Sequence, residues 1–402
     1  MEVKTTGDLS PQKNRPIDGT VPMIVKGIIM QEKVIWIDFD LMESFIMDVF
    51  KCAGVPESDA QIAANVLIES DKRGIDSHGI GRLKPIYIDR ILEGIINPIT
   101  KIDILREGPT TALINANNGM GQVVSFFAMN KAIEKAAKFG TAMIAVTDSN
   151  HYGIAGYYAM MAAKQNMIGI TGTNARPSIA PTFGVENMLG TNPLTFAFPT
   201  DEEFPFVLDC ATSITQRGKV EVYEREGKKM PEGWVITQDG QPSTDATQVL
   251  KDLVAGSAAL TPLGGIGEDL GGYKGYGYAT VVEILSSALQ GGAFLKALSG
   301  FQDGKKAPHR LGHFFMAVDI TAFIEPDQFK KTTGEILRSL RASKKMPGEN
   351  RIYTAGEKEH LAWLSRKDKG VPVNEPLQKD IIALKKLFDL RNYNFGFENR
   401  SE

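Results

Sequence analysis

Apolar residues first recur at helical spacing between 38 and 55. Leu41, Phe45, Ile46, Val49 and Phe50 mark one face of an amphipathic helix. A second helix starts at the Glu57-Ser58-Asp59 capping cluster and carries Ile62, Ala63, Val66, Leu67 and Ile68 toward Gly74. A third is expected over 83–92, closed by Gly94. The texture changes after Pro98. Residues 102–105 and 111–115 are strand-like, Asn117-Asn118-Gly119 is a turn, and 122–139 is an amphipathic helix stopped by Gly140. The run 141–147 is almost continuously apolar, as expected of a strand covered on both faces. A helix over 155–165 and strands over 167–171, 194–198 and 207–209 continue the alternation, which argues for an α/β core. Residues 216–262 read as a long loop region with one or two helices. A glycine-rich stretch, 264–277, leads into an apolar helix over 278–289, and 313–320 is a further strand. Amphipathic helix returns over 326–340 and 378–390. Residues 1–33, with Pro11, Pro16 and Pro22, read as an irregular extension with room for one strand.

Composition narrows the class without deciding it. The 402 residues have room for two or three domains, and 43% apolar with 23% charged residues is ordinary for a soluble globular chain. A net charge of −3 gives no electrostatic reason to expect nucleic acid or a membrane surface as partner. Only Cys52 and Cys210 occur, so a disulfide framework is not expected and a reducing, cytoplasmic compartment is. No apolar run approaches the ~18–20 residues of a membrane span. The opening residues Met1-Glu2-Val3-Lys4-Thr5 lack the apolar region of a secretory signal.

Candidate chemistry gathers around two of the five histidines. His151 lies in Ser149-Asn150-His151-Tyr152-Gly153, a glycine-bounded turn after an apolar run, and His78 lies in Asp76-Ser77-His78-Gly79. Two proline-stopped loops, 174–181 and 189–193, follow His151 closely. An imidazole with an ordinary pKa near ~6.5 suits proton transfer at neutral pH. The plainer reading is that each ring hydrogen-bonds a turn. Arg82 stands four residues beyond His78, so the two share a helical face. A histidine beside a guanidinium fork is a sensible way to hold a carboxylate.

Other motifs are missing. Gly119-Met120-Gly121, Gly265-Ile266-Gly267 and Gly275-Tyr276-Gly277 are followed by Val124, Leu270 and Thr280 where a dinucleotide fingerprint needs its third glycine. A nicotinamide cofactor would therefore not be held by an ordinary Rossmann domain. His309 and His313 have i,i+4 spacing, but Arg310, Leu311 and Gly312 lie between them and a strand follows. Two solvated loop histidines, and no metal site, are expected.

Asp76-Ser77-His78-Gly79 with Arg82, Asn150-His151-Tyr152-Gly153, Gly190-Thr191-Asn192-Pro193, Asp209-Cys210-Ala211-Thr212 and Gly272-Tyr273-Lys274-Gly275-Tyr276-Gly277 resemble, in order, the signature blocks of the malate/L-lactate dehydrogenase family. This is the type unrelated to Rossmann-fold lactate and malate dehydrogenases, and the match spans roughly 36–360. The resemblance implies an NAD(P)-dependent oxidoreductase of small 2-hydroxy and 2-oxo acids, active as a homodimer. The implied fold is α/β: a non-Rossmann mixed-sheet domain packed on a helical domain formed from both chain ends. The corresponding division is an extension over 1–34, a helical part over 35–100, the mixed-sheet domain over 101–325 and a second helical part over 326–402.

Residue roles carry over with the motifs. His151 matches the acid–base histidine, and Ser77, His78 and Arg82 match the block that holds the substrate carboxylate. Tyr87, Asn174, Arg176, Thr191 and Asn192 fall at the substrate site. Asp209, Cys210, Ala211, Lys219, Lys274, Gly275, Gly348, Glu349 and Asn350 fall where NAD or NADP is contacted. Ala175 stands where the family often has serine, which removes a hydroxyl donor. Arg176 beside it could bind a second carboxylate or a sulfonate, or pair with a structural acid such as Glu186. The first option favours malate and oxaloacetate as substrates, ahead of lactate, sulfolactate and ureidoglycolate. A metabolite-binding protein without catalysis is the alternative of another class, and the presence of both His151 and Arg82 argues against it.

Overall fold

The computed structural model describes residues 17–25 and 28–397. Strands β1 (Ile17–Val25) and β2 (Ile28–Ile37) form an antiparallel hairpin. The expected irregular extension is thus paired sheet wherever it is described; residues 1–16 lie outside the described residues. Pro22 pointed away from a strand, but it sits on β1, the free edge of its sheet, where a missing N–H costs no ladder bond.

Strands β3 (Asp103–Glu107), β4 (Thr111–Asn115), β5 (Thr141–Ser149), β6 (Met167–Thr173), β7 (Leu194–Phe198) and β8 (Phe206–Cys210) follow. β9 (Val235–Thr237) pairs with β10 (Ala258–Leu260), and β11 (Phe301–Gln302) with β12 (Lys305–Lys306). β13 (Leu311–Asp319) returns to the main sheet, and β14 (Val371–Val373) joins the far side of β2. The main sheet has seven strands in the order β3-β4-β5-β13-β6-β7-β8. Only β4 and β5 run parallel, joined by a crossover through the helix Gly121–Phe139. Gly140 closes that helix in the left-handed region, at φ 84°.

Alternate residues of the central strands serve opposite faces. Ile144, Val146, Phe315 and Ala317 join the core under Gly121–Phe139 and Ala155–Ala163. The helix Gly272–Ser286 packs separately against β5, β6 and β13. The expected α/β mixed sheet is therefore a layer between helices.

A second core draws on both ends of the chain. Asp38 caps the helix Phe39–Cys52, accepting from the N–H groups of Asp40 at 3.0 Å and Leu41 at 3.1 Å. That helix and Glu57–Lys72 bury Phe45, Ile46, Val49, Phe50 and Leu67 against Val371, Ile381, Leu384, Phe395 and Phe397. The Phe45 ring lies 5.2 Å from those of Tyr393 and Phe395. The helical body is thus built from both chain ends.

Four segments differ from the sequence reading. Residues Leu83–Ile88 form a π-helical turn before the short helix Asp89–Leu92; Pro85 has no N–H for a regular α ladder there. Residues 216–262 form a compact lobe, with helices Arg217–Arg225 and Ala246–Ala255 around Val220, Val235, Val249 and Leu260. The helix Pro326–Ala342 docks on the sheet edge, where Arg338 pairs with Asp201 at 2.9 Å. The helix Glu357–Arg366, short and rich in charge, gave no sequence signal.

Among the described residues no helix is long and apolar enough to cross a membrane.

Candidate active site

His151 follows the C-terminal end of β5, and its backbone is fixed from several sides. The fully buried Asn150 donates to Asn118 O at 3.1 Å and Gly119 O at 2.9 Å. A Cβ on Gly121 would come within 2.2 Å of Asn150 O and 2.5 Å of His151 O, so only glycine lets the helix start this close. Gly153 has φ 84°, and a Cβ there would meet Val66 at 2.4 Å.

The Nδ1 side of the His151 ring is occupied. The Tyr87 hydroxyl lies at 2.6 Å and the Gly153 N–H at 3.3 Å. That leaves Nε2 as the nitrogen for a ligand. The π-helical turn delivers Tyr87 to this position from the helical body. The His78 ring stacks on His151, with centroids 5.6 Å apart and planes 21° apart. Ser77 Oγ is 2.9 Å from His78 Nδ1, and Arg82 Nε donates to Ser77 O. Five residues expected at the site, Ser77, His78, Arg82, Tyr87 and His151, are therefore in one cluster.

Their electrostatics are one-sided. Burial holds the His151 pKa well below the ordinary histidine value, and His78, Arg82, Arg90 and His313 push the same way. Burial and then Arg82 bring His78 down to about 4. Both rings are neutral at neutral pH. Burial raises the Tyr87 phenol, opposed by Arg82, Arg90 and the neighbouring Gln122 amide. Gln122 is fully buried, yet neither of its amide atoms has a well-formed hydrogen bond.

The loop carrying Ser77 and His78 is held by the far end of the chain. Arg366 grips Asp76 at 2.5 and 2.8 Å and donates to Asp71 O at 2.7 Å. The buried Asp71 carboxyl accepts the Ile80 N–H at 2.9 Å. A Cβ on Gly79 would lie 1.8 Å from that carboxyl, so the motif glycine is a packing requirement.

The expected substrate loops divide. Arg176 is exposed and makes no ion pair among the described residues; Glu186 is taken by Lys296. Arg176 shares a cavity of about 270 Å³ with Arg90, Lys306 and His309. Asn174 and Asn192 are fully buried and committed to the protein itself. Asn174 Oδ1 accepts Gly312 N–H at 2.8 Å, and its amide approaches the Ser286 and Ala293 carbonyls at 3.4 Å. Asn192 donates to Glu283 at 2.8 Å and Ala279 O at 3.1 Å, and accepts Ala175 N–H at 3.1 Å. Thr191 offers its carbonyl to Thr212 N–H at 3.0 Å. These three hold the loops in place and do not reach the His151 cluster by hydrogen bonds.

His309 and His313 are not both solvated. His313 is fully buried on β13, with Nδ1 2.7 Å from Thr173 Oγ1 and Nε2 2.8 Å from Ser149 Oγ. His309 is half-buried, with Nδ1 3.1 Å from Leu298 O. Among the described residues no group of three or more His, Cys, Asp or Glu could hold a metal ion.

The family follows from sequence and fold comparisons. The model of the malate/L-lactate dehydrogenase family matches residues 37–382. The chain belongs to that family. It is 43% identical to a malate dehydrogenase of Pyrococcus horikoshii over 364 residues, covering 90% of this chain and 98% of that protein. It is 39% identical to an L-sulfolactate dehydrogenase of Methanocaldococcus jannaschii over 326 residues, covering 81% of this chain and 90% of that protein. The crystal structure of malate dehydrogenase from Entamoeba histolytica superposes with a TM-score of 0.85 at 42% identity, covering 89% of this chain and 98% of that one.

A dehydrogenase of this family takes a nicotinamide cofactor, and a cleft of about 730 Å³ lies between the two bodies. Lys72, Arg73, Lys164 and Lys358 supply positive charge around it, and Phe204, Tyr353 and Trp363 supply aromatic walls. Arg73 Nε is buried there without an acceptor. Four acids, Glu69, Glu203, Asp209 and Glu359, line it as well, and Lys72 and Arg73 pair with Glu69, so it is the orphaned Arg73 N–H and the aromatic walls that fit a phosphate-bearing dinucleotide. Of the residues expected to contact the cofactor, Asp209 lines this cleft, accepting Gly156 N–H at 2.7 Å and Thr195 Oγ1 at 3.1 Å. Cys210 and Ala211 follow it at the end of β8. Gly348, Glu349 and Asn350 form an exposed turn in the segment that runs into the lining residues Tyr353 and Thr354. Lys219 and Lys274 are exposed elsewhere. Gly275 packs on Leu263, where a Cβ would sit 2.2 Å from its carbonyl oxygen, so a backbone crossing accounts for this glycine.

Proposed function

We propose that this protein is an NAD(P)-dependent malate dehydrogenase that interconverts malate and oxaloacetate. The observation that carries the reading is His151, neutral, with Nδ1 engaged and Nε2 open, beside the Arg82 and Arg90 guanidiniums. Kinship to the malate dehydrogenases supports the choice of substrate.

In the oxidative direction His151 Nε2 takes the proton of the C2 hydroxyl. The bound nicotinamide supplies the hydride acceptor. For Nε2 to be a base, the ring's own proton must sit on Nδ1 and be donated to the Tyr87 oxygen, and the long 3.3 Å contact from the Gly153 N–H to Nδ1 gives way in that tautomer. The phenol O–H then turns toward the Gln122 amide, whose Oε1 lacks a partner. His78, Ser77 and Arg82 hold the C1 carboxylate. That carboxylate offsets the positive field that depresses His151, so substrate binding raises the pKa of the ring toward the range useful for proton transfer in both directions.

The 730 Å³ cleft, with Asp209 on its wall, is the proposed cofactor site. Assembly as a homodimer is supported by the helix Gly272–Ser286, which buries Ala279 and Val282 yet exposes Tyr278, Val281 and Ile284 on its outer face. Two exposed cysteines with no disulfide support a cytoplasmic setting.

The second reading is sulfolactate dehydrogenase, favoured by the unpaired Arg176, which suits a sulfonate as well as a carboxylate. Absorbance at 340 nm, followed with both nucleotides against malate, sulfolactate, lactate and ureidoglycolate, tests both. Turnover fastest with malate is expected. Turnover confined to lactate or ureidoglycolate would overturn the proposal.

A further inference from the structure

Arg90 is the anomaly of the site. The lysines around it are neutralised: Lys84 pairs with Asp89 at 3.0 Å and Lys306 with Glu93 at 2.6 Å. Arg90 is half-buried and has neither an ion pair nor a side-chain hydrogen bond among the described residues. It lines the 270 Å³ cavity, whose acids Asp89 and Glu93 are both engaged already. Arg176, equally unpaired, lines the same cavity.

Burial disfavours the Arg90 charge most, and the Arg176 and Arg82 guanidiniums oppose it too; Tyr87 and the Glu93 carboxylate favour it, but Glu93 is already paired with Lys306. A half-buried cation flanked by two others destabilises the fold unless something outside the chain compensates. A permanent structural role would have closed an ion pair there, and Arg90 forms none among the described residues. Placement decides what the compensating group is. Arg90 follows Tyr87 by three residues on one continuous helical stretch, and the Tyr87 hydroxyl lies 2.6 Å from His151, so Arg90 stands beside the reacting centre. Arg82 is already committed to the Ser77 carbonyl on the His78 side.

We propose that Arg90 is the specificity-determining residue that receives the second acid group of the substrate, a carboxylate or sulfonate on the carbon next to C2, with Arg176 closing on it from across the cavity. The inference rests on the dehydrogenase reading above and names the substrate class of that same site. The C1 carboxylate goes to the Arg82 side, the distal acid to Arg90, and C2 lies between them against His151. A guanidinium fork matches the planar pair of oxygens of a carboxylate, and equally two oxygens of a sulfonate. Lactate has no group to place there.

The test pairs kinetics with stability. Wild type, Arg90→Gln and Arg90→Lys are assayed with malate, sulfolactate and lactate, and melted with and without succinate, a diacid that cannot react. Arg90→Gln should lose roughly 10- to 150-fold in kcat/KM on the diacids, the value of one charge-assisted pair, and less than threefold on lactate. Arg90→Lys, a point charge without the fork, should fall between. The Tm of Arg90→Gln should equal or exceed that of wild type, and the Tm gain from succinate should vanish. Equal losses on mono- and diacids, a lowered Tm, or dissociation of a dimer in light scattering would each make Arg90 structural and overturn the inference. A wild type inert to every diacid yet stabilised by succinate through Arg90 would sink the malate reading and keep the anion site.

Discussion

Two histidines meet the end of β5 and have opposite fates: the half-buried His151 follows Ser149 in the chain, and the fully buried His313 bonds to Ser149 from β13. His313 has both ring nitrogens bonded, to Thr173 and Ser149, and stacks flat on Tyr152 at 4.7 Å. His151 has one nitrogen bonded and one open. Both are neutral, and burial is the main cause in each; His313 is lowered to about 3. A depressed pKa therefore does not mark the reactive residue here. The unspent nitrogen does.

The sharpest way to break this comparison is to remove each ring. His151→Ala should lower kcat by about 10²–10⁴, the usual value of a positioned acid–base group, while leaving Tm and cofactor affinity nearly unchanged. Activity within threefold of wild type would reverse the assignment. His313→Ala should do the opposite. It opens a void and strands the buried Ser149 hydroxyl, while Thr173 keeps its bonds to the Asn174 and Gly312 carbonyls, at a cost of about 2–5 kcal/mol in denaturant unfolding, with kcat of the folded fraction little altered. It should also flatten the pH dependence of stability. The unfolded chain binds a proton near pH ~6.5 that the buried ring refuses, so His313 costs stability progressively as pH falls below ~6.5, and it costs none above.

Tyr87→Phe tests the bonded side of the reactive ring. Losing one neutral hydrogen bond should reduce kcat about 3- to 10-fold, with KM for the hydroxy acid nearly constant. Unchanged kcat would show that the phenol only packs. A gentler probe is the acid limb of malate oxidation, which should lie below the ordinary histidine range because His151 resists protonation. Arg82→Gln removes a cation and should move that limb upward, whatever it does to substrate binding. The smallest effect expected is none at all: treatment with a chelator should leave turnover intact. Loss restored by one specific divalent ion would contradict a mechanism built on His151.

The division between what the sequence shows and what it hides follows range. His151, His78 and Arg82 lie in compact motifs whose glycines are dictated by contacts on either side, such as Gly79 against Asp71, so local pattern exposes them. The helices and strands of the main sheet were readable for the same reason. Arg90 and Gln122 were not, because each is an ordinary residue on an ordinary helical stretch and becomes distinctive only through a partner that is missing. Arg366 was hidden by distance, since its meaning depends on Asp76. The β1–β2 hairpin was obscured by Pro22, harmless on an edge. Asn174 and Asn192 show the converse: motif polar residues that read as ligands are engaged by backbone groups and, for Asn192, by the Glu283 carboxylate as well.

The Arg366–Asp76 clamp also sets a schedule. A ribosome emits the Ser77-His78 loop early, and the guanidinium that fixes it follows 290 residues later. At about 5–20 residues per second, the half-made enzyme carries its substrate-binding loop for some 15–60 seconds without its anchor. Until that late helix docks, a nascent chain with every motif already translated still lacks a fixed place to receive an acid.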